Sequence, residues 1–572
     1  MKNMFKTGRA GIIIALLLII SSCEDFLDRP TEDNYSIDGF YQTDEQCYQA
    51  ANILYNSPWY DFQRGFLSIG DVLAGNIYKG GEDKYLKFNL TTLSDDADLI
   101  NASNSLWLVN GHCNAVIENI ASKAGSGVSE ETKNTVTGEA MVWKAMAYFY
   151  MVRIWGAIPI IHSNSDVIGA GTANTLKKNR VEDVYEYILR TLNKAESLLP
   201  DENATGRINK YSAYGLMAKV YLTRSGYGSV DGNRNQEDLD NAKKYAKMVI
   251  DKYGDLEPNY ADLFRISTGN YNKENLLSWR WVAGAQWTSQ NSLQSDNCLN
   301  GFTGLANDSW GTWVGLTVDL QRLFNEDAGS KERNNTDSRR KATMMMFGDH
   351  YPYFWRESGG FTATWDNDNN VAGATFGVGT GANMVKHIVG HYLQDHKAEA
   401  GVPSQRMATN LATHILRLAD IYLIYAEAIL GNQSSTSDAD AVNAFNKVRL
   451  RANPNGGVSS ITFNDIFDER RRELAGEGDN WYDYVRLSYY NPQETLNKLN
   501  AQERGYYEGD LAGYYKGTTN DVPTVTANSS FKLSLTKISE IKLPFPDTDL
   551  DVNPNLGDDV DPVPFDFSTI GY

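Results

Sequence analysis

The chain has 572 residues and a formal net charge of −19. That length holds one large core or roughly two to three ordinary domains. A surface this acidic repels phosphate backbones and so excludes nucleic acid as a general partner. It also weighs against a polyanionic ligand, unless a local basic patch overrides the mean. With 42% hydrophobic and 22% charged residues the composition is globular. Seven His, with no His/Cys cluster at zinc spacing, give no expectation of a metal centre or other cofactor.

Residues 1–22 read as an export signal. Lys2, Lys6 and Arg9 form a basic start, and Ile12 to Ile20 an apolar run too short for the roughly 20 residues that span a bilayer. Ile20-Ser21-Ser22-Cys23 follows, with the form of a bacterial lipobox. Cleavage there leaves Cys23 as an acylated first residue and takes the net charge from −19 to −22 through loss of three cations. No later segment has the apolar length of a membrane span. Cys47, Cys113 and Cys298 remain, an odd number; a Cys47–Cys113 bridge is conceivable, and free buried thiols are the expectation.

Residues 24–40 read as an extended tether. Helical periodicity then dominates about 43–60 and 103–158, about 181–252, and about 412–490. Tyr214, Met217, Ala218 and Tyr221 share one helical face, answered by Ala242, Ala246 and Val249. Ile421, Ile424, Tyr425, Ala426 and Ile429 repeat that face, answered by Ala441, Phe445 and Val448. Small residues at these places let helices approach and large ones fill the gap beyond, a spacing that resembles tetratricopeptide hairpins. The expected fold is therefore mostly α, a helical-hairpin scaffold in one domain over 23–572. Residues 253–411 are rich in Gly, Asn, Asp, Ser and Trp and too long for an unstructured loop. They are expected to form short strands and short helices on the scaffold and to carry the ligand site. Residues 491–572 are again rich in loops.

Known chemical motifs are missing: no phosphate loop, HExxH, GxSxG or EF-hand. Gly377 to Gly381 reads as a turn. Glu469, Arg472 and Glu473 fall at three- and four-residue spacing on one helix, with Arg449 ending the helix before. Such a set reads first as a paired structural network and only second as a catalytic carboxylate pair.

Seven of the 12 Trp lie in the irregular region: Trp279, Trp281, Trp287, Trp310, Trp313, Trp355 and Trp365. Trp279 and Trp281 sit in an apolar, strand-like run, and at least one is expected in the core. Trp287 and Trp310 have the polar, turn-rich surroundings of displayed rings. Flat indoles with polar neighbours suit the C–H faces and hydroxyls of sugars. Trp313, Trp355 and Trp365, with Tyr353, are weaker candidates for the same role.

Several segments resemble the SusD/RagB family of outer-membrane nutrient-binding lipoproteins. These are Cys23-Glu24-Asp25-Phe26-Leu27-Asp28, AMVWKAMAYFYMVRIWGAIPII (Ala140 to Ile161), RINKYSAYGLMAKVYL (Arg207 to Leu222) and LRLADIYLIYAEA (Leu416 to Ala428). The sharpest is IFDERRRELAGEGDNWYDYVRL (Ile466 to Leu487), followed by Leu543-Pro544-Phe545-Pro546, Asn553-Pro554-Asn555-Leu556 and Gly571-Tyr572. The Gly/Asp-rich stretch around Gly505–Pro523 departs from the pattern. The acidic residues after Cys23 resemble the surface-export signals of Bacteroidetes lipoproteins.

The resemblance implies a cell-surface, lipid-anchored, non-enzymatic protein. It would bind a polysaccharide or oligosaccharide and deliver it to a TonB-dependent, SusC-like outer-membrane transporter. It also implies a third aromatic from an N-terminal loop, here Asn76-Ile77-Tyr78, with Asp71 and Arg64 as polar partners. Two alternatives stay open. One is a RagB-like peptide-binding protein with a deep groove. The other is a lipid-anchored glycoside hydrolase, which needs two carboxyl groups about 5–5.5 or 6.5–9.5 Å apart across a cleft.

Overall fold

The computed structural model describes residues 39–79, 87–365, 374 and 377–572. The export segment 1–22 and Cys23 lie outside the described residues. None of the described helices is long and apolar enough to cross a membrane.

Helices form the frame, and side-chain caps set most of their starts. Helix α1 (Asp44–Asn52) opens on a reciprocal cap between Thr43 and Gln46. Helix α2 (Phe62–Leu67) is short. Helix α3 (Ala97–Lys123) starts where the Asp96 carboxylate accepts the N–H groups of Asp98 and Leu99. Helix α4 (Glu130–Trp155) starts on Ser129 and stops at Gly156, whose φ of +79° is left-handed. From Gly138 to Trp155 every residue of α4 is buried, so this helix is core on all faces. Next come α5 (Val181–Leu198), α6 (Lys210–Arg224) and α7 (Gln236–Tyr253). After the irregular region follow α8 (Leu418–Leu430), α9 (Ala439–Ala452), α10 (Phe463–Leu474) and α11 (Asn480–Ser488).

Helices α3 to α9 pack in succession, each on the next, although 164 residues separate the end of α7 from the start of α8. Ala218, Ala242, Ala246, Ala426 and Ala441 are all buried, as the spacing of small residues predicts. Gly138 shows how tight this stack is. A Cβ there would sit 2.7 Å from Leu199 Cγ, so only glycine lets α4 and α5 meet.

The strands are short and come from distant segments. A four-stranded antiparallel sheet joins β1 (Ile77–Lys79), β3 (Val314–Leu316), β5 (Ala382–Met384) and β4 (Met344–Met346), in the order β1-β3-β5-β4. A separate pair joins β2 (Asn275–Trp279) to β6 (Thr413–Arg417). Two expectations change here. Ile77-Tyr78 belongs to a strand and not to a loop, with Tyr78 opposite Gly315. The stretch expected to be helical from about 412 opens on β6. Cys47, Cys113 and Cys298 are unpaired and buried.

The charged set on α10 is a buried network far wider than the spacing alone implies. Glu469 meets Arg339 at 2.8 Å and Arg449 at 2.9 Å. Arg417 reaches Glu274 at 2.7 Å, Glu473 at 3.0 Å and Glu477 at 2.7 Å. Arg451 pairs with both Glu274 and Glu473. Arg470 holds Asp420 at 2.5 Å, Asp479 at 3.1 Å and Asp483 at 2.9 Å. Lys386 closes on Glu477 at 2.7 Å. Glu469 and Glu473 have no solvent exposure, and each is held by arginines. They have no room for the water and sugar that glycosidic cleavage requires.

Because most of these charges are buried, losing one partner strands the others. Arg417→Ala is expected to lower unfolding free energy by about 3–5 kcal/mol, measured by chemical denaturation; a loss no larger than that of a surface substitution would show the network to be dispensable. The network also fixes a direction of pH dependence. Burial raises the Glu477 pKa, but Arg417 and Lys386 outweigh it and bring the value from 4.5 to about 2. This contribution is complete above pH 4.5 and is lost as pH falls toward 2. The melting temperature should therefore fall with acid in that window, and Glu477→Gln should make the fall shallower.

Candidate functional site

The site begins with two neighbouring rings that point opposite ways. Trp59 is fully buried, donates its indole N–H to Leu54 O at 2.8 Å and stacks on Trp279 with centroids 5.2 Å apart. Trp279 and Trp281 are both core, and the Trp281 indole donates to Thr413 Oγ1 at 3.0 Å. Tyr60, the residue after Trp59, is half-buried and turns outward. Its ring lies 6.3 Å from that of Trp287, edge on. Trp287 itself is 56% exposed.

The loop that carries Trp287 is fastened on several sides. Val282 N–H donates to Ser289 O at 2.7 Å and closes it. Gln286 Nε2 donates to Ser57 Oγ at 2.8 Å. Buried Gln63 on α2 donates to Gln290 O and accepts from Ser292 N–H. Asn291 Nδ2 reaches Leu411 O at 2.7 Å.

On the other side of Tyr60, Asp296 spends one oxygen on each of two groups. Oδ2 accepts from Arg64 Nε at 2.9 Å, and Oδ1 accepts from the Trp310 indole N–H at 2.8 Å. Burial opposes the Arg64 charge, but Asp296 more than offsets it and holds the guanidinium above its usual pKa. Burial likewise raises the Tyr60 phenol, which stays neutral near pH 7 and can donate as well as accept. Trp310 is 37% exposed and Trp313, one short turn later, 65%. Trp287, Tyr60, Arg64 with Asp296, and Trp310 thus follow one another across a single face. They present flat apolar rings with hydrogen-bonding groups between them.

The remaining candidates lie elsewhere. Asn76 has no exposed surface. Its amide donates to Asp71 and Asn480, and its oxygen accepts from Arg471. It is a structural strut, and the expectation that it contacts ligand is corrected. Asp71, expected as a polar partner, is equally buried. It accepts the N–H groups of Gly476 and Gly478, while burial drives its pKa to about 6. Arg64 pairs with Asp296, which also holds Trp310. Tyr78 is half-buried with its ring edge on Phe88, 5.7 Å away. Trp355 gives its indole N–H to Phe302 O at 2.9 Å and packs against His391. Its left-handed φ of +55° is held by the Asp395 carboxylate, which accepts the Trp355 N–H. Trp365 leans on Tyr515. Trp355 and Trp365 are both half-buried. The groups that the sequence does not single out are Tyr60 and Asp296. Each is one ordinary residue in a polar run, recognisable only once residues 60, 64, 287, 296 and 310 meet.

The chain matches known proteins over nearly its whole length. A family model described as the SusD family matches residues 318–558, and one described as starch-binding, associating with outer membrane, matches residues 69–222. A SusD-like protein of Bacteroides ovatus is 34% identical over 583 residues, spanning 99% of this chain and 100% of that protein. A crystal structure with xylogluco-oligosaccharide is 33% identical with a TM-score of 0.76, covering 91% of this chain and 99% of the other. Surface glycan-binding protein A from Bacteroides thetaiotaomicron, solved with laminarihexaose, shares the fold at a TM-score of 0.63 and 17% identity, over 90% of this chain and 99% of that one. With a third of its residues shared along its full length with such a relative, the chain belongs to the SusD family.

Proposed function

We propose that this protein is a non-enzymatic, cell-surface glycan-binding lipoprotein, and that a polysaccharide or oligosaccharide lies across Trp287, Tyr60 and Trp310. The observation that carries the reading is the row of outward rings held by the Asp296 bridge and the Gln63 clamp. Sugar C–H faces stack on the indoles, and their hydroxyls find Arg64, Asp296, Tyr60 and Gln286. Trp313 extends the row. The face is open, which favours a ligand that slides on and off along its length over one held in a deep pocket. The relative solved with xylogluco-oligosaccharide makes xyloglucan the first ligand to test. Delivery would be to a TonB-dependent, SusC-like transporter, with Cys23 as the lipidated residue at the outer membrane. Asp296, the carboxylate between the rings, is committed to Arg64 and Trp310, which supports a reading as a binder over one as a hydrolase.

Calorimetry against xyloglucan, starch, mixed-linkage glucan, laminarin, mannan and pectin, with a peptide panel beside them, tests the proposal. Trp287→Ala and Trp310→Ala should each weaken the binding glycan on the order of fivefold to tenfold, as expected for losing one stacked ring, without lowering the melting temperature. Unchanged affinity in both variants, or binding of peptides alone, would overturn it. Cys23→Ala should release the protein from the outer-membrane fraction; retention there would refute the lipid anchor.

A further inference from the structure

A second recess opens beside β2, on the other side of the segment that carries Tyr60. Tyr55, residues 203–209, Tyr253, Tyr271 and Arg280 line it, and its volume is about 180 Å³. Arg280 follows β2 directly. Its backbone is fixed, with N–H donating to Tyr55 O at 2.8 Å and the carbonyl accepting from Asn56 Nδ2 at 3.0 Å. Its side chain is not. Nε and Nη1 are shielded from solvent and bond nothing.

Among the described residues this arginine is unusual. Arg153, Arg234, Arg333, Arg340 and Arg451 also leave one N–H without a partner, yet each faces a carboxylate. Arg504 has no carboxylate, but carbonyls of Phe88 and Leu73 and the Gln502 amide oxygen saturate it. Arg280 has neither. Burial pulls its pKa below the usual guanidinium value, and its electrostatic neighbours are only the phenols of Tyr271 and Tyr55. In a chain of net charge −19 this is a cation left without a counter-charge. Such a group gains from any anion that reaches it.

Two further features say what kind of anion. Asn275 Oδ1, in the same recess, is buried and unpartnered while its Nδ2 is spent on Gly269 O at 2.7 Å. The ligand therefore has a hydrogen-bond donor to offer as well as its charge. Tyr271 is 65% exposed, with its ring 4.9 Å from the Arg280 guanidinium, and so presents a flat apolar face at the mouth. Gly206 packs closely against both side chains. A Cβ there would lie 2.9 Å from the Tyr271 ring and 3.4 Å from the guanidinium carbon.

We propose that this recess is a second binding site, for an acidic sugar. Its carboxylate sits on Arg280, a hydroxyl donates to Asn275 Oδ1 and the ring face rests on Tyr271. The choice of a sugar to carry the carboxylate rests on the glycan reading of the Trp287 face; the need for an anion does not. Both sites are built on the same two segments. Tyr55 and Arg280 face the recess, and Tyr60 and Trp287 face the platform.

Titration with D-glucuronate and D-galacturonate, followed by ligand-observed NMR, tests this, with glucose, acetate, phosphate and triglycine as comparisons. The wild-type protein should bind a uronate in preference to all four. Arg280→Gln should weaken that binding on the order of tenfold, as expected for losing a charge-assisted hydrogen-bond pair. Tyr271→Ala, an exposed substitution that leaves the fold intact, should weaken it less, and Trp287→Ala should leave it unchanged. The proposal fails if no uronate saturates the protein, if Arg280→Gln binds as the wild type does, or if acetate, phosphate or triglycine binds as tightly. A neutral glycan titrated onto Arg280→Gln separates the two readings: retained affinity there, with uronate binding lost, shows two independent sites.

Discussion

The structure depends on arginines being matched to carboxylates where water does not reach. Arg417 and Arg470, each with three acidic partners, sit where β6, α8, α10 and α11 converge. Taking such charges out of water is expensive, and only complete pairing offsets it. A hydrophobic cluster of equal volume could be as stable. What the ionic version adds is direction, because a forked guanidinium donates to its partners in one plane and at fixed angles. Three segments distant in sequence, at Glu274, at Arg417–Asp420 and at Arg470–Asp483, therefore meet in one arrangement.

That junction reaches the face of exposed aromatic rings through backbone. Asp71 binds the N–H groups of Gly476 and Gly478, and Gly70 lies so close to Gly478 that a Cβ would stand 2.2 Å from its carbonyl. The segment from residue 54 to residue 79 is thereby pressed onto the end of α10. Trp59 and Trp279 stack beneath the surface, and directly above them Tyr60 and Trp287 emerge. The core aromatic pair and the displayed pair are thus carried by the same two strips of chain. A loop rich in polar residues can hold a large ring outward only because its roots are embedded this way.

Much of this was legible in the sequence. The period of apolar residues locates the helices, and the small residues at 218, 242, 246, 426 and 441 mark where they close. The spacing of Glu469, Arg472 and Glu473 points to a paired network. The contrast between the apolar run at 276–281 and the polar run at 286–291 separates core indoles from exposed ones. Asn76 and Asp71 were not legible. What buries them is contributed by residues 471–480, with hydrogen bonds spanning 405 and 407 positions from Asp71. Trp355 and Trp365 also have polar neighbours in sequence, but contacts with Phe302 and Tyr515, far along the chain, leave them half-buried. Local composition reports exposure only when no distant segment comes to lie on top.

The double use of Asp296 has a kinetic consequence. An arginine and an indole free to rotate would have to be frozen by each arriving ligand, and that entropy would be subtracted from every encounter. Here the cost is met once, during folding, because a single carboxylate locks both side chains in place. A ligand meeting such a surface docks without waiting for rearrangement, so its arrival is set by diffusion and orientation. On the proposed reading its residence time would then follow from the rings and hydrogen-bonding groups it covers.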